Sequence, residues 1–593
     1  MRFLRSVFLA LAVLPVVAVI AVVASLPSKP PPLPRLTGDS PPDVDRRAVG
    51  VVHVHSSYSD GSGSVTDILR AANQAGLDFV VLTDHRDPYA LRNEGQEYRE
   101  GVLLLAGSEV ATEGGHVLAL DIPDPVLRFG TDLAETLRDV DEMGGFAIAA
   151  HPYARRANFA WADWEVAGLT GIELFNFFSG WRRQSGWSVA VAAVVYPFSP
   201  RRALAAGLAW EPRLFERWDR MLAERDVVAW IGLDAHGRVT LPRDFKLPWL
   251  SYRSVFEMAR NHLVLDEPLV GDAAKDRASI YRALKNGKGF MSFDGLADGS
   301  RFRFYAEDGS REWPIGSHVP VEMAESGSLR LVASVEAPAG TRLRLLKNGT
   351  SVVESTDRAL SLLVDGPGVY RVEAILDSRF VPGRREQPWI VSNPIFVSSR
   401  EVAELRKART EFTRLPSVAS VETMSCQPVG EDPWKMAFHA EHDPASRMDD
   451  QGAQSSGGAF RMEFYLSEPR DDRPYVWCSV ADRTPRDLAG FDAIRFQARG
   501  EDVYRVTVQL RDARRGASVE DTEWWASSFK TSPEWRDVVV PFETLRSISE
   551  TTDGHLDLGE TRGLFFVLDA GNMRPGTAGV IEVRGLEFCA AKR

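Results

Sequence analysis

Six of the chain's 11 histidines fall between residues 53 and 236, and each borders a short apolar run. His53-Val54-His55 comes first, followed by Ser59-Asp60-Gly61. Thr83-Asp84-His85, Gly107-Ser108-Glu109 and Gly114-Gly115-His116 come next, and His151-Pro152 and Asp234-Ala235-His236 close the series. Imidazole and carboxylate donors without thiolate suit Mn²⁺, Fe²⁺ or Zn²⁺. One ion cannot use eight or nine such ligands, so two or three divalent metal ions are implied. Clustered ions generate hydroxide at neutral pH and clamp the oxygens of a phosphoryl group, which is the chemistry of metal-assisted hydrolysis. A lone histidine is usually a satisfied core or surface residue. Six in order beside matching acids are not, whereas His262, His318, His439, His442 and His555 have no such context.

These side chains need a frame that brings them together. Residues two apart on a strand point the same way, so the pleat predicts that His53 and His55 face one point. The β-rich runs are Gly50–His55, Phe79–Thr83, Val102–Gly107, His116–Asp121, Phe146–Ala150, Gly171–Phe175 and Val227–Gly232. Amphipathic stretches such as Val65–Ala75 and Leu133–Met143 lie between them. Strands alternating with helices predict parallel βα units. About seven units over some 245 residues fit a closed barrel, in which the C-terminal strand ends converge on one mouth. His116 alone opens its run instead of closing it. Phe177–Leu222, rich in Trp and Arg, interrupts the order. Its apolar run Val189–Val195 is too short to span a bilayer and reads as a buried helix, with membrane-surface contact as the alternative.

The series His-x-His, Ser-Asp-Gly, Thr-Asp-His, glutamate, Gly-Gly-His, His-Pro and Asp-Ala-His resembles the polymerase and histidinol phosphatase (PHP) family over about Val49–Phe293. The resemblance implies an α/β fold, a distorted (β/α)7 barrel holding up to three metals. His53, His55, Glu109 and Asp234 would bind the first ion. Glu109 would bridge to a second, completed by His116 and His151, and Asp60, His85 and His236 would hold the third. The bridging hydroxide would be the nucleophile, and the metals would stabilise charge on the phosphate oxygens. Arg155, just after His-Pro, is a candidate phosphate contact, and Asp84 suits an orienting role. The implied reaction is hydrolysis of a phosphate mono- or diester, with nucleotide phosphatases and 5′-3′ exonuclease-like proteins as the nearest activities. Pro388–Phe396 resembles the end of the β-sandwich in the carbaryl-hydrolase branch, so hydrolysis of a carboxylester or carbamate on the same metals is the alternative. A third reading makes the barrel a relic and the protein a glycan binder, but it predicts lost ligands and all are present.

The remaining sequence sets the context. At 593 residues the chain exceeds one core and divides into several domains. A net charge of −12 leaves no overall electrostatic footprint for double-stranded nucleic acid. Three cysteines, Cys426, Cys478 and Cys589, exclude a disulfide scaffold and a thiolate zinc site; one disulfide with one free thiol leaves three pairings open. Residues 1–26 carry Arg2 and Arg5 before the uncharged run Val7–Leu26, read as a membrane anchor or a cleaved signal peptide. Both readings place the body outside the cytoplasm, anchored or secreted. Residues 27–47 form a proline-rich tether, 48–297 the barrel, and 298–399 an immunoglobulin-like β-sandwich whose Lys347-Asn348-Gly349-Thr350 signals a hairpin. Residues 400–420 form a helical linker. Residues 421–593 resemble a galactose-binding-type jelly roll, where Trp524, Trp525 and Trp535 fit burial in the sandwich better than stacking on a glycan.

Overall fold

The computed structural model describes residues 46–591 apart from 157–158, 206–207, 209, 242–244, 248–249, 377–386, 412–423, 429–435, 437, 449–458, 471, 473–474, 514–521 and 550–551. The N-terminal apolar run and nearly all of the proline-rich tether lie outside the described residues. The chain forms two compact units: one of residues up to 124 together with 131–413, the other of 125–130 together with 414–593.

In the first unit, β1 (Arg47–Val54), β2 (Phe79–Leu82) and β3 (Val102–Ala106) pair in parallel. Past Gly107 the chain continues as β4 (Ser108–Thr112), and a parallel bridge from His85 to Glu109 carries the pairing on. Next come β5 (Gly115–Leu120), β6 (Phe146–Ala150), β7 (Leu169–Asn176) and β8 (Val228–Ala235). β6, β7 and β8 pair in parallel, and β8 returns to β1, closing the barrel. The interior strands are apolar and almost wholly excluded from water, as β2 and β3 show along their whole length. Around them pack amphipathic helices. In α1 (Val65–Gln74) the buried Val65, Ile68, Leu69 and Ala72 form one helical stripe. Its N-terminus is closed by a reciprocal capping box between Ser64 and Asp67.

Two expectations fail here for physical reasons. The βα units are not all parallel: β5 runs antiparallel to both β4 and β6. Only Glu113 and Gly114 separate β4 from β5, enough for a hairpin but far short of the dozen or so residues of a parallel crossover. This reversal is why His116 opens its strand yet reaches the same mouth. The simple pleat also does not aim His53 and His55. His53 has φ 64°, and the pairing register of β1 shifts between Val51 and Val54. The strand is kinked at the first ligand, and both rings face one centre across that kink.

The same sheet extends outward through Arg260–Val264 and Gly289–Ser292 to Gln387–Ser392. Beyond residue 300 stand a four-stranded sheet and the hairpin of Arg342–Lys347 with Thr350–Ser355. Asn348 and Gly349 have φ of 51° and 78°, the left-handed pair that a two-residue turn matching strand twist requires. The helix Arg400–Thr410 follows.

Among the described residues the second unit holds two six-stranded antiparallel sheets. Cys426 and Cys589 are direct cross-strand neighbours joined in a disulfide, leaving Cys478 free and buried. Of the three tryptophans expected in the core, Trp525 is buried, with its indole N–H donating to Asp512. Its neighbour Trp524 points to the opposite face, is 40% exposed and lies under the Arg511 guanidinium. Trp535 is half-buried between Arg499 and Arg584.

Candidate metal centre

Each ligand-type residue predicted from sequence lies at the barrel mouth. The two oxygens of Glu109, on β4, divide the cluster between them. Oε2 stands 3.2 Å from Nε2 of His53 and 3.2 Å from Nε2 of His55. Oε1 stands 2.8 Å from Nδ1 of His116 and 2.9 Å from Nε2 of His151. Asp234 Oδ1 adds a second carboxylate 3.7 Å from His53 and 3.4 Å from His55. A third group gathers around Asp60, whose oxygens lie 3.2 Å from Nε2 of His236, 3.7 Å from Nε2 of His85 and 3.6 Å from Nδ1 of His55. In three overlapping sets (His53 with His55 and Glu109, Glu109 with His116 and His151, His55 with Asp60, His85 and His236) all donor atoms lie within 4.8 Å of one another.

The donor set fits divalent ions on its own terms. Nε2 of His53 and Nε2 of His55 are buried and hydrogen-bonded to nothing, although carboxylate oxygens surround them. Buried polar atoms are normally satisfied, and an orphan at a cluster of acids calls for a missing partner. A cation supplies it for both the nitrogens and the acids. The electrostatics agree. Burial works against charge on Glu109, but His53, His116 and His151 outweigh it and hold the carboxyl well below the usual range. Asp234 and Asp60 are likewise held down by neighbouring imidazoles against the effect of burial. For His53, burial lowers the pKa, but Glu173, Glu109 and Asp234 overcome it and raise it well above the ordinary imidazole value.

Backbone strain accompanies this assembly. His53, His151 and Asp234 have φ of 64°, 30° and 52°, all in the left-handed region. Each such non-glycine conformation costs on the order of 1–3 kcal/mol and persists only where the surroundings enforce it. These three form a further donor set of their own, with ligand atoms within 4.8 Å of one another. The glycine of Ser59-Asp60-Gly61 has a steric reason, since a Cβ at Gly61 would come within 2.2 Å of the His55 carbonyl oxygen. Asp84 accepts from the Ser56 amide at 2.8 Å, the Ser56 hydroxyl at 2.8 Å and the Ser59 hydroxyl at 2.6 Å.

One functional residue escaped the sequence reading. Glu173, in the middle of β7 and wholly buried, accepts from Nδ1 of His53 at 2.6 Å, from the His151 amide at 2.5 Å and from Asn176 at 2.8 Å. With Nδ1–H directed at Glu173, the Nε2 lone pair of His53 is left facing Glu109 and Asp234. Gly232 makes room for it, since a Cβ there would stand 1.5 Å from Glu173 Oε1. An acid inside the apolar run Gly171–Phe175 was the available signal.

Above the cluster opens a cavity of ≈650 Å³, a size suited to a small-molecule substrate. Arg155 lines it, and so do Arg156 and Arg182, with Phe159 and Phe178. Arg182 comes from Phe177–Arg182, the first helix of the Trp/Arg-rich insertion, so that insertion forms part of the site.

No family model matches the chain. An uncharacterized protein of Methanocaldococcus jannaschii is 28% identical over 137 residues, covering 21% of this chain and 80% of that protein. A two-domain protein of Bacteroides vulgatus containing a predicted PHP-like metal-dependent phosphoesterase is 15% identical, with a TM-score of 0.28 over 58% of this chain and 95% of that one. A family 11 carbohydrate-binding module of Clostridium thermocellum is 14% identical, with a TM-score of 0.20 over 30% of this chain and 94% of the module. A family 30 module of the same organism is 10% identical, with a TM-score of 0.21 over 28% and 99%. All three scores are too low to bear on function.

Proposed function

We propose that the protein is a metal-dependent phosphoesterase working on a distorted (β/α)7 barrel of the PHP type. The observation that carries this is the division of Glu109: its two oxygens face two separate groups of imidazoles, with buried nitrogens left unpartnered between them. His53, His55, Glu109 and Asp234 would hold one ion, Glu109, His116 and His151 a second, and Asp60, His85 and His236 a third. Bound divalent ions lower the pKa of water toward neutrality and neutralise phosphate oxygens. The chain's own residues do the rest. Glu173 keeps His53 in the tautomer that presents Nε2. Asp84 pins the Ser56–Ser59 turn that carries Asp60 into the site. Arg155, exposed at the cavity wall, is placed to meet a substrate phosphate.

The test is metal analysis of the purified protein, followed by a panel of phosphomonoesters, phosphodiesters and neutral aryl esters. Phosphoester hydrolysis that disappears in Glu109→Gln together with two equivalents of bound metal is expected. A metal-replete enzyme that cleaves only carboxylesters or carbamates would overturn the phosphoesterase reading.

The place of action is proposed as outside the cytoplasm, tethered or secreted. The apolar run Val7–Leu26 supports it, and so does the Cys426–Cys589 disulfide, a bond that persists in oxidising compartments.

A further inference from the structure

Two arginines stand beside the metal centre in matching arrangements. The Arg156 guanidinium lies over the Phe159 ring at 5.6 Å, and that ring packs against the His116 imidazole at 4.8 Å. On the other side, Arg182 lies over Phe178 at 4.6 Å, and Phe178 packs against His236 at 5.3 Å. His116 belongs to the second donor set and His236 to the third. Each guanidinium is therefore held two ring contacts from a ligand-type imidazole, one beside the second donor set and one beside the third. All of these side chains line the same cavity. Among the described residues, neither guanidinium has a carboxylate within ion-pair distance, and both are exposed to the solvent in the cavity.

An arginine stacked on an aromatic ring loses side-chain freedom while its N–H edge stays available for a planar anion. One such group beside the metals is accounted for by the scissile phosphate. Arg155 is already placed to meet that phosphate, so two further guanidinia, each beside a different donor set, leave at least one for another group. On the phosphoesterase reading, we infer that Arg156 and Arg182 select substrates carrying a second anionic group, a carboxylate or another phosphate, on the organic portion of the phosphoester. One arginine meets that group while the other lies on the phosphate side. A neutral carbamate or simple aryl ester offers nothing to either.

The experiment measures equilibrium binding to the metal-loaded protein of ω-carboxyalkyl phosphonates against alkyl phosphonates of equal length, neither of which can be hydrolysed. The carboxylate should tighten binding about 10- to 100-fold at one optimal length, the range of a charge-assisted hydrogen bond. One of the two substitutions, Arg156→Gln or Arg182→Gln, should remove that preference, with its Lys variant restoring part of it, while the other should weaken both series. Metal content and melting temperature of each variant are measured alongside, so that a folding defect is recognised. Turnover adds a second readout: kcat/KM for carboxylated over plain phenyl phosphates should fall toward one in the Gln variant that loses the binding preference. Equal binding of both phosphonate series, or a carboxylate preference that survives both Gln variants, overturns the inference. Failure of the phosphoesterase reading is separate, because it appears as absent phosphoester turnover whatever the phosphonates do.

Discussion

Replacing Glu173 with glutamine tests how the barrel sets up its ligands. The side chain keeps its size, yet one oxygen becomes an N–H₂ group among three donors: His53 Nδ1, the His151 amide and Asn176. If the amide nitrogen turns toward His53, the imidazole must accept at Nδ1, and its proton moves to Nε2. That atom faces Glu109 and Asp234 and would no longer offer a lone pair. Loss of a carboxylate behind a ligating histidine typically costs 10- to 100-fold in metal affinity, or about 1.4–2.7 kcal/mol. The pH dependence carries a second signature. Burial pushes the His53 pKa down, but Glu173 leads the carboxylates that raise it well above the ordinary value. Below that raised pKa a proton occupies the ring and must leave before an ion binds. Wild-type affinity should therefore fall as pH drops through the raised value and level off above it. In Glu173→Gln the fall should begin at lower pH, while the plateau sits 10- to 100-fold weaker. Competition against a fluorescent chelator across pH, with metal content by mass spectrometry, reads both. A plateau within twofold of wild type and an unmoved profile would falsify the orienting role.

Gly232→Ala should reproduce that phenotype, because its Cβ would stand 1.5 Å from Glu173 Oε1. It should also destabilise the protein by about 1–3 kcal/mol through overpacking, measured by denaturant titration. Burial opposes ionisation of Asp294, but His262 and Arg260 outweigh it and hold the carboxyl at about 2, against 3.8 unperturbed. Its folded pKa is depressed, so its contribution of about 2 kcal/mol is complete above pH 4 and lost as pH falls toward 2. Asp294→Asn should flatten the stability profile in that window, and an unchanged acid limb would count against the pair. Cys426→Ser opens a link between residues 163 apart in sequence. On the chain-entropy model it should cost the second unit about 5 kcal/mol, seen by calorimetry as a lower transition for that unit while metal binding persists.

The chemistry of this protein is written locally. Nine donor residues and the order in which they occur follow from side-chain type, and strand ends follow from short apolar runs. The Asn348-Gly349 turn follows from the residues' tolerance of left-handed backbone. Those are properties of neighbours along the chain, and neighbours are what a sequence displays. Other features needed contacts between distant segments. The hairpin at Glu113 and Gly114 sets the direction of β5, and that direction brings His116 to the mouth. The kink at His53 is held by pairing with β2 and β8, and no residue in His-Val-His announces it. Glu173 gains its role only because Gly232, on the next strand, leaves it space beneath His53. Arg156 and Arg182, 26 positions apart in sequence, come to flank one cavity through the rings they stack on. The disulfide was one of three pairings until the sheet placed Cys426 opposite Cys589. Side-chain chemistry is intrinsic to each residue, whereas orientation, strain and partnership arise only when remote backbone is closed into a barrel.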